Sequence, residues 1–226
     1  MSDHAPNGGM SVAEMPGSRS QQKRSLILHA AMHHFAKHGY EAARVGDMAE
    51  HLGIAKGSVF QHFRSKDGLF FEVYKEALRS LPVYLDVPDE VKHAGFFAVV
   101  RYRLTRPLEF WEQYQVPYRV VLLGNYGSDL NLKKRISRFV TMEDPLGATA
   151  LVKLGLERGE VRSDVNPVLL TSFMECMFER MQDYLFTGES ERDLFHRAGE
   201  LHGSREQTID QFMKILRGAV GTSQAV

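Results

Sequence analysis

Between Arg44 and Phe63 the apolar residues Val45, Met48, Ala49 and Leu52 recur at helical spacing, the pattern of a helix with one buried stripe. Gly53 follows the last of them, and glycine at that point supplies the left-handed conformation that ends a helix without a Cβ clash. Ile54 then packs back toward the core. A second short helix is predicted from Ala55 or Lys56 to His62, with Val59 and Phe63 on one side and Lys56, Ser58, Gln61 and His62 on the other. Two short helices meet at a tight turn, and the second displays a cation, a hydroxyl, an amide and an imidazole. That is the composition of a helix-turn-helix whose second helix enters the DNA major groove.

The flanks extend the helical pattern. Ile27, Ala30, Ala31 and Phe35 mark the inner face of a helix from Ser20 or Gln21 to His38, ended by Gly39 and stapled by Tyr40. On the other side Ser65 is a candidate N-cap, with Asp67 in the first turn where the helix dipole favours negative charge. Phe70, Val73, Tyr74, Ala77, Leu78 and Leu81 carry this fourth helix to Pro82. Residues 1–19, rich in Gly, Ser, Pro and Asn without periodicity, read as a disordered arm.

Beyond Pro82 the pattern is helical again but carries no motif. Val83–Val91 reads as a linker, and Gly95–Thr105 and Pro107–Leu123 as helices, the latter kinked at Pro117. Gly124–Asp129 reads as a loop, Leu130–Met142 as a basic-faced helix, Pro145–Glu157 as another helix, and Val161–Asp164 as a turn. From Asn166 or Pro167 to Phe186 the apolar surface is too broad for one core-facing stripe, so it needs a partner. Residues 187–204 are polar and read as a loop before a last helix marked by Ile209, Phe212, Met213, Leu216 and Val220. The expected fold class is all-α, with an arm over 1–19, a DNA-binding domain over 20–81 (helix-turn-helix 44–63), and a helical regulatory and dimerisation domain over 82–226.

Composition narrows the function. The 226 residues are 43% hydrophobic and include a single cysteine, Cys176, so neither an internal disulfide nor a CxxC zinc site is available. No apolar run approaches the roughly 20 residues of a membrane helix, and no signal-peptide core opens the chain, so the expected location is the cytoplasm, with no membrane partner. The formal net charge is zero, but residues 19–81 carry ten Lys and Arg against six Asp and Glu, an excess placed on the reading segment. His29, His33, His34 and His38 lie along the first helix, and the 34/38 pair has metal-ligand spacing. No carboxylate or cysteine completes a ligand set there, so no metal site is expected.

The stretch RSLILHAAMHHFAKHGYEAARVGDMAEHLGIAKGSVFQHFRSKDGLFFEVY, residues 24–74, resembles the TetR family of bacterial transcription regulators. The likeness lies in its AA…FA…GY helix ending, its MAEHLGI turn, its KGSVFQHF second helix and its SKDGLF opening of the fourth. It implies a three-helix DNA-binding unit followed by an all-α domain that dimerises and binds a small molecule. Carried over position by position, DNA contacts fall on Arg44, Lys56, Gly57, Ser58, Phe60, Gln61, His62 and Lys66. Arg44 and Lys66 can neutralise phosphates, Gly57 lets backbone approach the duplex, and Lys56, Ser58 and Gln61 can reach base edges. Two positions depart from the family. Arg44 stands where a capping Thr or Ser is usual, and Phe60 where Tyr is usual, which shifts reliance from hydroxyl contacts to charge.

In the second domain Phe110, Trp111, Tyr114, Tyr118 and Arg119 are candidate ligand residues, the arginine as an anchor for an acidic effector, with core filling as the alternative for each ring. By resemblance, helices near 145–158 and 167–186 form a two-fold interface through Leu151, Leu154, Phe173, Met177, Met181 and Leu185. A homodimer then reads a palindromic double-stranded operator. The expected function is a ligand-responsive DNA-binding regulator, a repressor released by an unidentified small-molecule effector, with no cofactor. An effector-independent DNA-binding protein is the alternative. The chain carries no GxSxG elbow, HExxH pair, Walker loop or dinucleotide fingerprint, so an enzyme is not expected and no catalytic residue is assigned.

Overall fold

The computed structural model describes residues 18–81, 87–127, 129–143, 147–186 and 204–222. The expected arm therefore lies outside the described residues except for its last two positions, as do most of the polar loop before the final helix and residues 82–86 of the linker. Among the described residues the chain is helical, with one isolated antiparallel bridge between Val161 and Gly221. None of the helices is long and apolar enough to cross a membrane.

Helix α1 spans Arg19–Ala42. Its start is set by a capping box: the Ser18 hydroxyl accepts from the Gln21 N–H at 3.3 Å, and the Gln21 carboxamide oxygen accepts from the Ser18 N–H at 2.8 Å. Gly39 does not end the helix as the sequence suggests. It takes a non-helical conformation, φ 74° and ψ 169°, and a last helical turn resumes through Ala42. The resumption has a packing cause. Tyr40, carried beyond the break, meets Phe70 edge-on at 4.9 Å between ring centroids, while Phe35 meets the same ring at 5.0 Å.

Helix α2 spans Val45–His51, α3 spans Lys56–Phe63 and α4 spans Lys66–Ser80. Next come α5 (Asp89–Ala94), α6 (Phe96–Thr105), a 3-10 turn (Arg106–Phe110) and α7 (Trp111–Tyr126). The chain continues with α8 (Leu130–Glu143), α9 (Ala148–Glu157), α10 (Pro167–Phe186) and α11 (Arg205–Val220).

Three boundaries differ from the apolar pattern. α5 occupies part of the expected linker; with no buried residue it leaves no apolar stripe to read, and it rests instead on Asp89 and Glu90 at its N-terminus and a Lys92–Asp89 ion pair of 2.8 Å. The expected helix from Pro107 opens as a 3-10 turn before becoming α-helical at Trp111. At its other end α7 runs through Gly124–Tyr126, where a loop was expected. A Cβ on Gly124 would lie 2.5 Å from the Tyr74 ring, and the Tyr74 hydroxyl donates to the Asn125 carboxamide oxygen at 3.1 Å. Close packing thus holds in a helix residues whose local preference is for a turn.

The chain divides into two compact units that cut across the sequence order: residues up to 77 with 116–136, and residues 78–115 with 137–226. In the first, Ile27, Ala31, Phe35, Val59, Leu69, Phe70, Val73 and Tyr74 are almost wholly buried. In the second, α6 is the central element, packing on α9 and α11. Phe96, Val99, Val100 and Leu104 of α6 are fully buried. Gly155 of α9 makes the close approach possible, since a Cβ there would lie 3.0 Å from the Phe96 ring and 2.4 Å from Val161.

Candidate nucleic-acid interface

The α2–α3 turn is built by the backbone. At its centre Gly53 has φ +64°. Its N–H donates to the Glu50 carbonyl at 2.9 Å and the Ile54 N–H to the Ala49 carbonyl at 2.9 Å, the paired bonds of a Schellman cap. A side chain at Gly53 would meet no neighbour; the glycine is there for its dihedral angle alone. Met48, Ala49 and Val45 face inward from α2, and Val59 and Phe63 anchor α3, at 0% and 4% exposure.

Anchoring at residues four apart leaves the rest of α3 outward. Lys56, Gly57 and Gln61 are exposed, and Ser58, Phe60 and His62 half-buried. The Lys56 ammonium lies 5.8 Å from the centre of the Phe60 ring, so the ring that replaces the usual tyrosine steadies a cation rather than offering a hydroxyl. No Cβ on Gly57 would touch the protein, which leaves that backbone open to a partner. Arg44 is exposed at the N-cap of α2, with extended dihedrals and no side-chain capping bond. Its guanidinium is thus not used to cap the helix.

Lys66 plays a part that motif reading does not disclose. Its ammonium donates to the Glu41 carbonyl at 3.0 Å and stands 4.7 Å from the centre of the Tyr40 ring. Next to it, the Tyr40 hydroxyl donates to the Asp67 carboxylate at 2.5 Å. Burial first, and then the hydrogen bond and charge of Asp67, push the Tyr40 hydroxyl well above the ordinary phenol value. This cluster joins the end of α1 to the start of α4.

Gly68 completes the joint. Ser65 caps α4 by accepting the Gly68 N–H at 2.9 Å, and a Cβ on Gly68 would fall 2.1 Å from the Phe63 carbonyl oxygen. Only glycine lets α4 start this close to the end of α3. On the same side, Arg24 of α1 pairs with Glu72 of α4 at 2.6 Å and lies 5.2 Å from the centre of the Phe63 ring. Burial tends to raise the Glu72 carboxyl, but hydrogen bonds and charge from Lys75 and Arg24 outweigh it and hold the group below its ordinary value. Gly68, Arg24, Tyr40 and Glu72 escaped the sequence reading. The SKDG spelling was the available signal for the first, and nothing local marked the others.

The histidines of α1 pair among themselves. The rings of His29 and His33 are 4.8 Å apart and those of His34 and His38 4.6 Å. Among the described residues no group of three His, Cys, Asp or Glu side chains is placed to hold a metal ion.

The remaining sequence-predicted residues fall as follows. Tyr114 is half-buried, Tyr118 buried and Arg119 exposed; the side chains of Phe110 and Trp111 lie outside the described residues. Leu151 and Leu185 are buried within the chain, Leu154, Met177 and Met181 are half-buried, and Phe173 is 38% exposed. The most exposed apolar side chains of α10 are Val168 and Leu169, at 75% and 64%, with Ile215 of α11 at 65%.

A short helix anchored by two buried residues, its polar face outward and its entry fixed by a glycine turn, defines a helix-turn-helix DNA reader. The family model for bacterial regulatory proteins of the tetR family matches residues 27–73, the segment just described. The chain is similar to the HTH-type transcriptional repressor AcnR of Corynebacterium diphtheriae, 36% identical over 170 residues covering 74% of this chain and 82% of that one. It is similar also to AcnR of Corynebacterium glutamicum, 29% identical over 82% of this chain and 92% of the relative. Among solved structures, a TetR family transcriptional regulator from Chloroflexus aurantiacus shares the fold at a TM-score of 0.61, with 17% identity over 93% of this chain and 97% of that one. The chain belongs to the TetR family: it is a DNA-binding transcriptional regulator and not an enzyme.

Proposed function

We infer that this regulator is a repressor acting in the bacterial cytoplasm, which binds a palindromic operator as a homodimer and is released by a small-molecule effector. The observation that carries the reading is the division of α3, with Val59 and Phe63 buried and Lys56, Gly57 and Gln61 exposed. In this reading Lys56, Ser58 and Gln61 meet base edges, with Phe60 or His62 beside them, while Arg44 and Lys66 meet phosphates and Gly57 admits close backbone approach. The exposed apolar residues of α10, together with Ile215, support a two-fold partner face, because large apolar side chains grouped on one surface favour association. Two recognition helices related by that symmetry would sit about one duplex turn apart. The effector acts by binding one of two conformations more tightly than the other. Relatives named as repressors support repression rather than activation.

The test is binding-site selection followed by affinity measurement across a salt series. A palindromic consensus and an affinity that falls steeply with salt are expected, since each neutralised phosphate releases counterions. An affinity independent of salt would sink the phosphate contacts, and a consensus without two-fold symmetry would sink the dimeric reader.

A further inference from the structure

The second unit contains a cleft of about 510 Å³ between α6, the turn after α9 and the end of α11. Its size falls in the range of roughly 300–1,000 Å³ usual for small-molecule sites, and none of the aromatic residues from Phe110 to Tyr118 lines it. Its walls are tied together. The Thr222 hydroxyl donates to the Gly159 carbonyl at 2.8 Å and the Thr222 N–H to the Glu160 carbonyl at 3.1 Å, while the Val161–Gly221 bridge lies next to them.

Three arginines line this cleft: Arg101, Arg158 and Arg217. Each is held differently. Arg101 pairs with Asp210 at 2.6 Å. The Arg217 guanidinium lies 4.2 Å from the centre of the Phe97 ring, and stacking fixes the plane of a guanidinium while leaving its donors at the edge. Arg158 donates to the neutral His93 carbonyl at 2.7 Å and has no carboxylate partner among the described residues. Against them stands Glu160, whose carboxylate lies close over Gly95, where a Cβ would come within 2.1 Å of it. Three guanidiniums face two carboxylates, those of Glu160 and Asp210, so the local balance is positive. Ala98 and Met213 supply an apolar side.

We propose that this cleft binds a small organic oxyanion, its carboxylate or phosphate gripped by Arg158 and Arg217 and its apolar part resting against Ala98 and Met213. Guanidinium donors match planar or tetrahedral oxyanions in geometry as well as charge. Glu160 limits the charge the cleft accepts: it repels a bare polyanion and favours a ligand with one anionic group and an apolar body. The proposal needs no assumption about the operator or its release.

The test uses the full chain and calorimetric titration with benzoate, inorganic phosphate and neutral benzamide. Benzoate is expected to bind saturably at one site per chain, at least about tenfold more tightly than benzamide, the order of one charge-assisted contact. Arg158→Gln should weaken benzoate about tenfold and Glu160→Gln should strengthen it, with thermal unfolding confirming that both variants fold. Arg217→Lys, which keeps the charge but loses the fork, should give an intermediate loss. Phosphate binding with the same Arg158 dependence supports oxyanion geometry as the determinant; benzoate binding without phosphate binding supports an organic carboxylate. Equal affinity for benzoate and benzamide, no saturable binding of either anion, or indifference to Arg158→Gln would overturn the proposal. Operator affinity without added anion should match the wild type in Arg158→Gln; its loss would also overturn the assignment, whereas failed anion binding alone would leave the operator reading intact.

Discussion

The Tyr40 hydroxyl donates to the Asp67 carboxylate across 2.5 Å, joining the last turn of α1 to the first turn of α4. The bond lies beside the Lys66 ammonium, which holds the Glu41 carbonyl, so residues in the family's SKDG spelling are part of the joint that carries the reading head. Tyr40→Phe removes the donor and leaves a partly buried carboxylate short of a partner. A stability loss of about 1–2 kcal/mol is expected by urea unfolding, with operator contacts other than those of Lys66 retained.

Two glycines should separate stability from function. Gly57→Ala meets open space in a helix, so it should raise stability by roughly 0.5–1 kcal/mol while weakening operator binding, because the added methyl stands where backbone meets the duplex. Gly68→Ala forces a Cβ against the Phe63 carbonyl. It should cost about 1–3 kcal/mol, as overpacking does, and weaken binding by displacing α3. Chemical denaturation and operator titration on both variants check the contrast.

The two lysines should likewise differ. Lys56→Ala should leave stability unchanged and relax base preference, since the side chain is exposed and its neighbour is the Phe60 ring. Lys66→Ala should lower affinity evenly across sequences and also lower stability, because the ammonium is bonded to Glu41. Equal specificity profiles for the two variants in a selection experiment would contradict this division.

Acid should loosen the reading head in two stages. His34 is held below the ordinary histidine value of 6.5 by burial first and then by His38 and His51, against opposing effects of Asp47 and the Arg44 backbone. A histidine depressed in the fold takes up protons more readily when unfolded, so stability falls as pH drops below 6.5 toward the folded value. His33, lowered by burial and His29, acts in the same sense. Glu72, lowered in the fold despite its burial, contributes stability above its ordinary value of 4.5 that is lost as pH falls through the folded one. Thermal melts across this range should show the first loss flattened in His34→Gln and the second in Glu72→Gln.

On α10, Val168→Asp and Phe173→Glu place charge on exposed apolar positions. If this is the two-fold face, sedimentation should show a shift toward monomer and operator binding should lose its steep dependence on protein concentration. An unchanged dimer would move the interface elsewhere.

Local pattern was enough for much of this. The stripe Val45–Met48–Ala49–Leu52, the positive-φ glycine at position 53 and the two anchors of α3 were legible because each depends on neighbours within a turn or two, and the exposed positions of α3 follow from those anchors. The capping role of Ser65 was legible for the same reason. The 3-10 opening before Trp111 and the helical Gly124–Tyr126 were not, since the latter rests on Tyr74, some fifty residues away in the chain.

By itself, then, the sequence determined the helical class, the turn geometry and the polar face of the reading helix, because those are short-range consequences of period, propensity and glycine dihedrals. Only the tertiary structure decided that Lys66 is tied to Glu41, that Gly68 is required by the Phe63 carbonyl, and that Arg101, Arg158 and Arg217 share one cleft with Glu160. Those relations join residues distant along the chain, and no local preference encodes which side chains will meet when apolar faces from separate helices are buried together.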